Sequence, residues 1–366
     1  MPIPACFVCF NTSFTSGRTG SLKIRKPRKS FPFPTPSTLQ PWFARNDVCC
    51  FILCCVVCRI ISIHCTYDDI ISVKNLCGAW KEFIHGKKTK DDVTKFSINL
   101  SHNIFKLHRE LRNKKYQHGN YEAFSISDPK PRNIHKSTVR DRLLHHAIYR
   151  ALYLYFDKKF IYDSYSCRIW KGTHKATGRF QSFARKESQN NTKTVWVLKC
   201  DIKKFFQNID HQILLKLIRK TVSGNKALWL LERIVQSFEP SSGRGIPLGN
   251  VTSQLFANIY LNELDQFVKH KIKARYYIRY ADDFVILSQD KDWLERILVK
   301  IKHYLLDKLK LQMHPDKIFI KTLASGLDFL GWVHFADHRV LRASTRRRML
   351  RRTQEYPANE TVQSYL

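Results

Sequence analysis

The chain has 366 residues, enough for two or three domains with sizeable cores. Lys and Arg number 63 against 30 Asp and Glu, a net charge of +33. With plentiful aromatics and no lipid-binding pattern, that excess points to a polyanionic partner and favours nucleic acid over a membrane surface. Eight of the 11 cysteines fall before Thr66, and only Cys77, Cys167 and Cys200 follow. The body is thus not a disulfide-built domain and suits a reducing compartment.

Residues 1–66 differ in texture from the rest. Asp47 is their only acidic residue, and "KIRKPRKSFPFPTPSTLQP" is basic and rich in Pro, Ser and Thr, a composition that does not build a core. Val48 to Ile63 is apolar but short for a membrane span, and Arg59 interrupts it. The segment reads as a disordered or spurious extension; its basic, acid-poor character also fits organelle import. From Tyr67 onward apolar residues recur at helical spacing, for example Ile98, Phe105 and Leu107 to Leu111, then Leu143, Leu144, Ile148, Leu152 and Phe156. "VWVLKCD" reads as a buried strand that turns polar at Asp201. Two helices follow in "HQILLKLIRKTV" and "ALWLLERIVQSF", then a Gly-bearing loop running into the helix of "NVTSQLFANIYLNEL".

The stretch "RYYIRYADDFVILS" sets two carboxylates, Asp282 and Asp283, between two strand-like runs. Like charges side by side repel; either they are an ordinary polar turn or a divalent cation offsets the repulsion. Asp201, at the end of the earlier strand, supplies a third carboxylate if one sheet brings the two strand ends together. Such a cluster suits two Mg²⁺ ions, or Mn²⁺ in their place, one activating a 3′-hydroxyl and one stabilising a leaving pyrophosphate.

This order of motifs resembles a reverse transcriptase. Tyr280 to Asp283 matches the family's Tyr-Ala-Asp-Asp box, "LKCDIKKFFQNIDH" resembles its first catalytic block, and "RNIHKSTVRDRLLHHAI" its finger block. The likeness runs from about Tyr67 to Leu366. It implies an α+β right-hand polymerase: helical fingers within 67–194, a ferredoxin-like palm in 195–335, and in 336–366 the start of a helical thumb that stops short. The implied activity is RNA-directed DNA synthesis from an RNA template, a DNA primer and dNTPs, in a cytoplasmic setting and with room for a basic accessory protein.

Residue by residue, the resemblance implies that Asp201, Asp282 and Asp283 bind metal, joined by the backbone carbonyl of Ile202. Phe206 would stand against the sugar 2′ position and exclude ribonucleotides; without the motif it reads equally as core. Lys130 and Arg132 would meet the triphosphate, and Lys317 would protonate pyrophosphate. Arg140 and Arg142 would contact template phosphates or pair with Asp141 and other acids within the fingers. Arg346, Arg347 and Arg348 would contact the duplex from the thumb. Leu327 to Trp332 resembles the primer-grip hairpin, with plain packing as the other reading. His145 and His146 read as packing or capping residues. Within the family, "PLGNVTSQ" is the discriminating stretch. Many relatives carry Gln before the glycine and Ser-Pro at the end; here Leu248 precedes Gly249, and Gln254 follows Ser253. That variant resembles the error-prone enzymes of diversity-generating retroelements. A group II intron-type enzyme and an idle RNA-binding remnant are the alternatives.

Overall fold

The computed structural model describes residues 66–127 and 131–355. The expectations for residues 1–65, for Lys130 and for residues 356–366 lie outside the described residues.

The helical part opens with α1 (Tyr67–Ile71), whose start is fixed by a reciprocal capping box between Thr66 and Asp69. Next come α2 (Val73–Phe83), α3 (Asp91–Ile98), α4 (Leu100–Arg112) and, after a hairpin, α5 (Val139–Asp157). Leu76, Ala79 and Phe83 of α2 pack with Leu143, Leu144 and Ala147 of α5 in the main core. The apolar periodicity read through Ile98 and Phe105 does not hold: both are exposed, while Leu107 and Leu111 are buried. Asn99, at φ −111 and ψ 37, breaks the run between α3 and α4, and each helix then turns its own face inward. The hairpin pairs β1 (Glu122–Ile126) with β2 (Arg132–Lys136), which places Arg132 opposite Ile126.

Helix α6 (Thr173–Glu187) precedes the palm. The palm sheet comprises β3 (Trp196–Asp201), β4 (Tyr276–Tyr280), β5 (Asp283–Ser288) and β6 (Phe319–Thr322), in the spatial order β4-β5-β3-β6 and antiparallel throughout. Between β3 and β4 run a short turn, α7 (Phe205–Asn208), then α8 (His211–Arg219), α9 (Asn225–Gln236) and α10 (Val251–Gln266); α11 (Lys291–Leu309) links β5 to β6. Taking α10 and α11 as the two covering helices, the palm is strand–helix–strand–strand–helix–strand with the first strand beside the third and fourth. This is the ferredoxin-like arrangement expected from the sequence.

Strand alternation divides the sheet into two faces. Leu198, Cys200, Tyr277, Phe284 and Ile286 join the core with α10 and α11. Val197, Ile278, Val285 and Leu287 join a second cluster with Phe180 and Phe183 of α6 and with Leu327 and Phe329. The latter two belong to a separate three-stranded sheet of β7 (Leu327–Phe329), β8 (Trp332–His334) and β9 (Arg339–Leu341). Its first turn is Leu330-Gly331, both at positive φ (53° and 86°), the geometry a two-residue hairpin turn demands. The basic segment after it forms α12 (Ala343–Glu355), with no buried residue.

Candidate active site

β3 and β5 are paired in a register that sets Asp201 directly opposite Asp283. Tyr280 pairs with Asp283 across the β4–β5 hairpin, leaving Ala281 and Asp282 as its two-residue turn, with Ala281 at φ 55. Residues 197, 199 and 201 of β3 share one face, as do 283, 285 and 287 of β5. The sheet therefore gathers the three carboxylates at one end, with Asp201 and Asp283 on the face toward α6 and the β7–β8 hairpin and Asp282 in the turn beside them.

The electrostatics show what the gathering costs. Burial, then the charges of Asp201 and Asp282, push the Asp283 carboxyl up to about 7, against the opposing pull of Lys199. Burial and the charge of Asp201 raise Asp282 as well, opposed by Lys317 and by Arg132, whose field from the finger hairpin reaches this carboxylate. Two ammonium groups stand among the acids. Lys317 Nζ lies 3.1 Å from Asp201 Oδ2. Lys199 Nζ lies 3.4 Å from Asp283 Oδ2 and donates to the Asp328 carbonyl of β7 at 2.6 Å. Lys199 was not among the residues singled out from the sequence; its signal was there, two residues before Asp201 on the same strand face.

Among the described residues, no group of three or more His, Cys, Asp or Glu forms a ready metal cage. The donor chemistry nonetheless fits a hard cation. Oδ1 of Asp283 is buried and has no hydrogen-bond partner, and burial and the neighbouring carboxylates raise the pKa of both Asp282 and Asp283, a penalty on negative charge that a bound cation would relieve.

Around this centre, Ile202 is buried and continues β3 through a bridge to Met313. Phe205 and Phe206 part company: Phe205 is buried, whereas Phe206 is half-buried, with its ring edge-on to Phe205 at 5.4 Å. Leu248, half-buried, accepts a hydrogen bond on its carbonyl from His135 N of β2 at 2.9 Å, which ties the Pro-Leu-Gly loop to the fingers. Gly249 must stay small there: at φ 120, a Cβ would come within 3.1 Å of Ile134 Cγ2. Gln254 sits partly exposed in the first turn of α10.

Arg132 is exposed on the finger hairpin, whereas Arg140 and Arg142 are engaged inside the fingers. Arg140 binds Glu110 at 2.9 Å, Asp141 and the Gln117 carbonyl; Arg142 binds Asp92 and lies over the Phe83 ring. Of the two roles read for this pair, the geometry shows the internal ion pairs. Arg346 and Arg347 are exposed on α12 and Arg348 is half-buried. His145 is buried, hydrogen-bonded to Thr252 at 2.7 Å, and burial lowers its pKa to about 3; His146 meets the Phe83 ring edge-on. Neither touches the carboxylates.

Residues 126–334, more than half of the chain, match the family described as Reverse transcriptase (RNA-dependent DNA polymerase). The chain belongs to the reverse transcriptase family. It is 27% identical over 258 residues to Protein YkfC of Escherichia coli K12, covering 60% of this chain and 66% of YkfC. To the Group II intron-encoded protein LtrA of Lactococcus lactis it is 25% identical, covering 42% of this chain and 36% of LtrA. Among solved structures, apo telomerase from Candida tropicalis aligns with a TM-score of 0.49 at 14% identity, over 63% of this chain and 49% of that one. The chain thus spans less than two thirds of these relatives. Reverse transcriptases generally use divalent metal ions. Among the described residues of this one, no helix is long and apolar enough to cross a membrane.

Proposed function

We propose that this reverse transcriptase extends a DNA primer with dNTPs on an RNA template, with Asp201, Asp282 and Asp283 as ligands of two Mg²⁺ ions. The observation that carries the reading is the register of β3 with the hairpin, which puts Asp201 opposite Asp283 and beside the turn that bears Asp282. Bound divalent ions would supply activation of the 3′-hydroxyl and charge stabilisation of the leaving pyrophosphate. The protein's own groups do the rest. The carboxylate-bearing end of the sheet holds the metal ligands, with the Ile202 carbonyl beside them. Arg132 offers a planar fork to the triphosphate, with Lys130 as a second cation. Lys317 would pass a proton to pyrophosphate, a role supported by its ammonium group 3.1 Å from Asp201 Oδ2. The half-exposed Phe206 ring fills the space a ribose 2′-hydroxyl would need. Arg346, Arg347 and Arg348 add phosphate contacts from α12.

Within the family we favour the error-prone, diversity-generating type. The support is the Leu248-Gly249 pair, held against β2, and Gln254 one turn into α10. A Leu side chain offers the nascent base pair no hydrogen bond where a Gln could. A group II intron-type enzyme is the second reading, favoured by the likeness to LtrA. Primer extension on RNA with Mg²⁺ and dNTPs tests the activity; absence of any product from the folded protein refutes it. Sequencing the DNA made on a template with equal numbers of the four bases separates the subtypes. Errors concentrated at template adenine support the first, and uniform low error leaves the second.

A further inference from the structure

A side chain with no part in the chemistry above holds the catalytic turn. Arg279, directly before Tyr280 on β4, is completely buried. All five of its guanidinium N–H groups have acceptors. Nε and Nη2 donate to the two oxygens of Asp265 at 2.8 and 2.7 Å, and Nη2 also donates to Ser164 Oγ at 3.0 Å. Nη1 donates to Asn258 Oδ1 at 3.2 Å and to the carbonyl of Ala281 at 3.1 Å. A guanidinium is the one side chain that can serve five acceptors from a single plane.

The acceptors come from three separate parts of the chain. Asp265 and Asn258 lie two turns apart on α10, and Gln254 lies one turn before Asn258 on the same side. Ser164 belongs to the segment that covers the open edge of β4, where Arg279 N donates to the Asp163 carbonyl and Tyr165 N to the Arg279 carbonyl. Ala281 is the turn itself, in a left-handed conformation that a non-glycine residue adopts only when its surroundings impose it. A buried ion pair is a poor source of stability, because desolvation offsets much of the attraction. Asp265 already has a second donor in the Tyr277 hydroxyl, at 2.7 Å. The bond to Ala281 is the one that bears on the catalytic end of the sheet.

We propose that Arg279 is a positioning residue: by joining the Ala281 carbonyl to Asp265 and Asn258 of α10, it fixes Asp282 relative to the helix that begins at the Leu248-Gly249 loop. The role rests on the polymerase reading of that loop and of Asp282, but the hold on the turn can be measured without it.

Arg279→Lys keeps the charge but cannot serve five acceptors. In the full chain, hydrogen exchange at the amides of Ala281 to Phe284 should quicken by at least ~10-fold as the turn loosens. In primer extension, kcat should fall by at least ~10-fold, with KM for dNTP and Kd for primer–template changed by no more than about 2-fold. Tyr277→Phe is the control. It removes another donor from Asp265, so it should lower the melting temperature while leaving turn exchange and kcat alone. If Arg279→Lys does not fold, Asn258→Ala loosens Nη1 and should show the same pattern at about 3-fold. The proposal is overturned if the variant that folds behaves like Tyr277→Phe, less stable but with unchanged turn exchange and kcat. A wild type that extends no primer would overturn the polymerase reading instead, and the exchange result would still decide whether Arg279 holds the turn.

Discussion

Replacing Asp283 with Asn should make the metal-free protein more stable while removing its activity. In the unfolded chain an aspartate loses its proton near 3.8; in the folded protein burial and the neighbouring acids move Asp283 to about 7. Between those values the folded state holds a proton that the unfolded state has released. Stability therefore falls as pH rises from about 4 to about 7, and the loss is complete above that window. Taken at full weight, a displacement of this size is worth about 4 kcal/mol. The Asp283 side chain keeps 24% of its exposure and has Lys199 at 3.4 Å, so screening and relaxation leave about 1–2 kcal/mol. In a chain of this length that is about 1–3 °C in melting temperature. The assay is thermal unfolding in a chelator at pH 8 and at pH 4. Asp283→Asn should melt higher than wild type at pH 8 and show no gain at pH 4. Adding Mg²⁺ at pH 8 should raise wild type and leave the variant where it was. A variant that melts at or below wild type at pH 8 in the chelator would refute the claim that uncompensated negative charge is stored at this site.

Asp201→Asn or Asp282→Asn should cut primer extension by at least ~10³-fold while nucleic-acid affinity stays within a few-fold, read by extension and by anisotropy; near-normal extension by either would remove it from the metal set. Phe206→Ala should raise kcat/KM for rNTP relative to dNTP, and an unchanged ratio in the folded variant would return the ring to a packing role. Leu248→Gln should recover part of the accuracy opposite template adenine, on the scale of about 1–3 kcal/mol of discrimination, measured by sequencing the product; identical error spectra would detach Leu248 from fidelity.

That Asp201, Asp282 and Asp283 meet at one end of a sheet was legible in the chain because the signals of their strands are local. Short apolar runs in "VWVLKCD" and on either side of Ala281-Asp282 mark three strands. A polar residue closing an apolar strand marks the end where side chains can act. The helix-rich first part followed from helical periodicity, and the ferredoxin-like order and the hairpin at Leu327 to Trp332 from the family resemblance. What the linear pattern could not decide depends on partners far away in sequence. Phe205 and Phe206 are identical side by side, and only the fold of the loop after Lys204, which stands at φ 46, turns one inward and leaves the other half-exposed. Arg140 and Arg142 read equally as phosphate ligands or as internal partners of acids, and it is the packing of α5 that brings Glu110 and Asp92 to them. Lys199 carried only a weak local signal, its place two residues before Asp201, and Arg279 carried none, because their partners are non-local: the Asp328 carbonyl for one, and for the other two acceptors on α10, Ser164 and a turn carbonyl. A charge in a strand reads the same whether it faces water or five buried acceptors. Only the register of the sheet and the seating of its covering helices determine which, because burial and hydrogen-bond partners are properties of the assembled core.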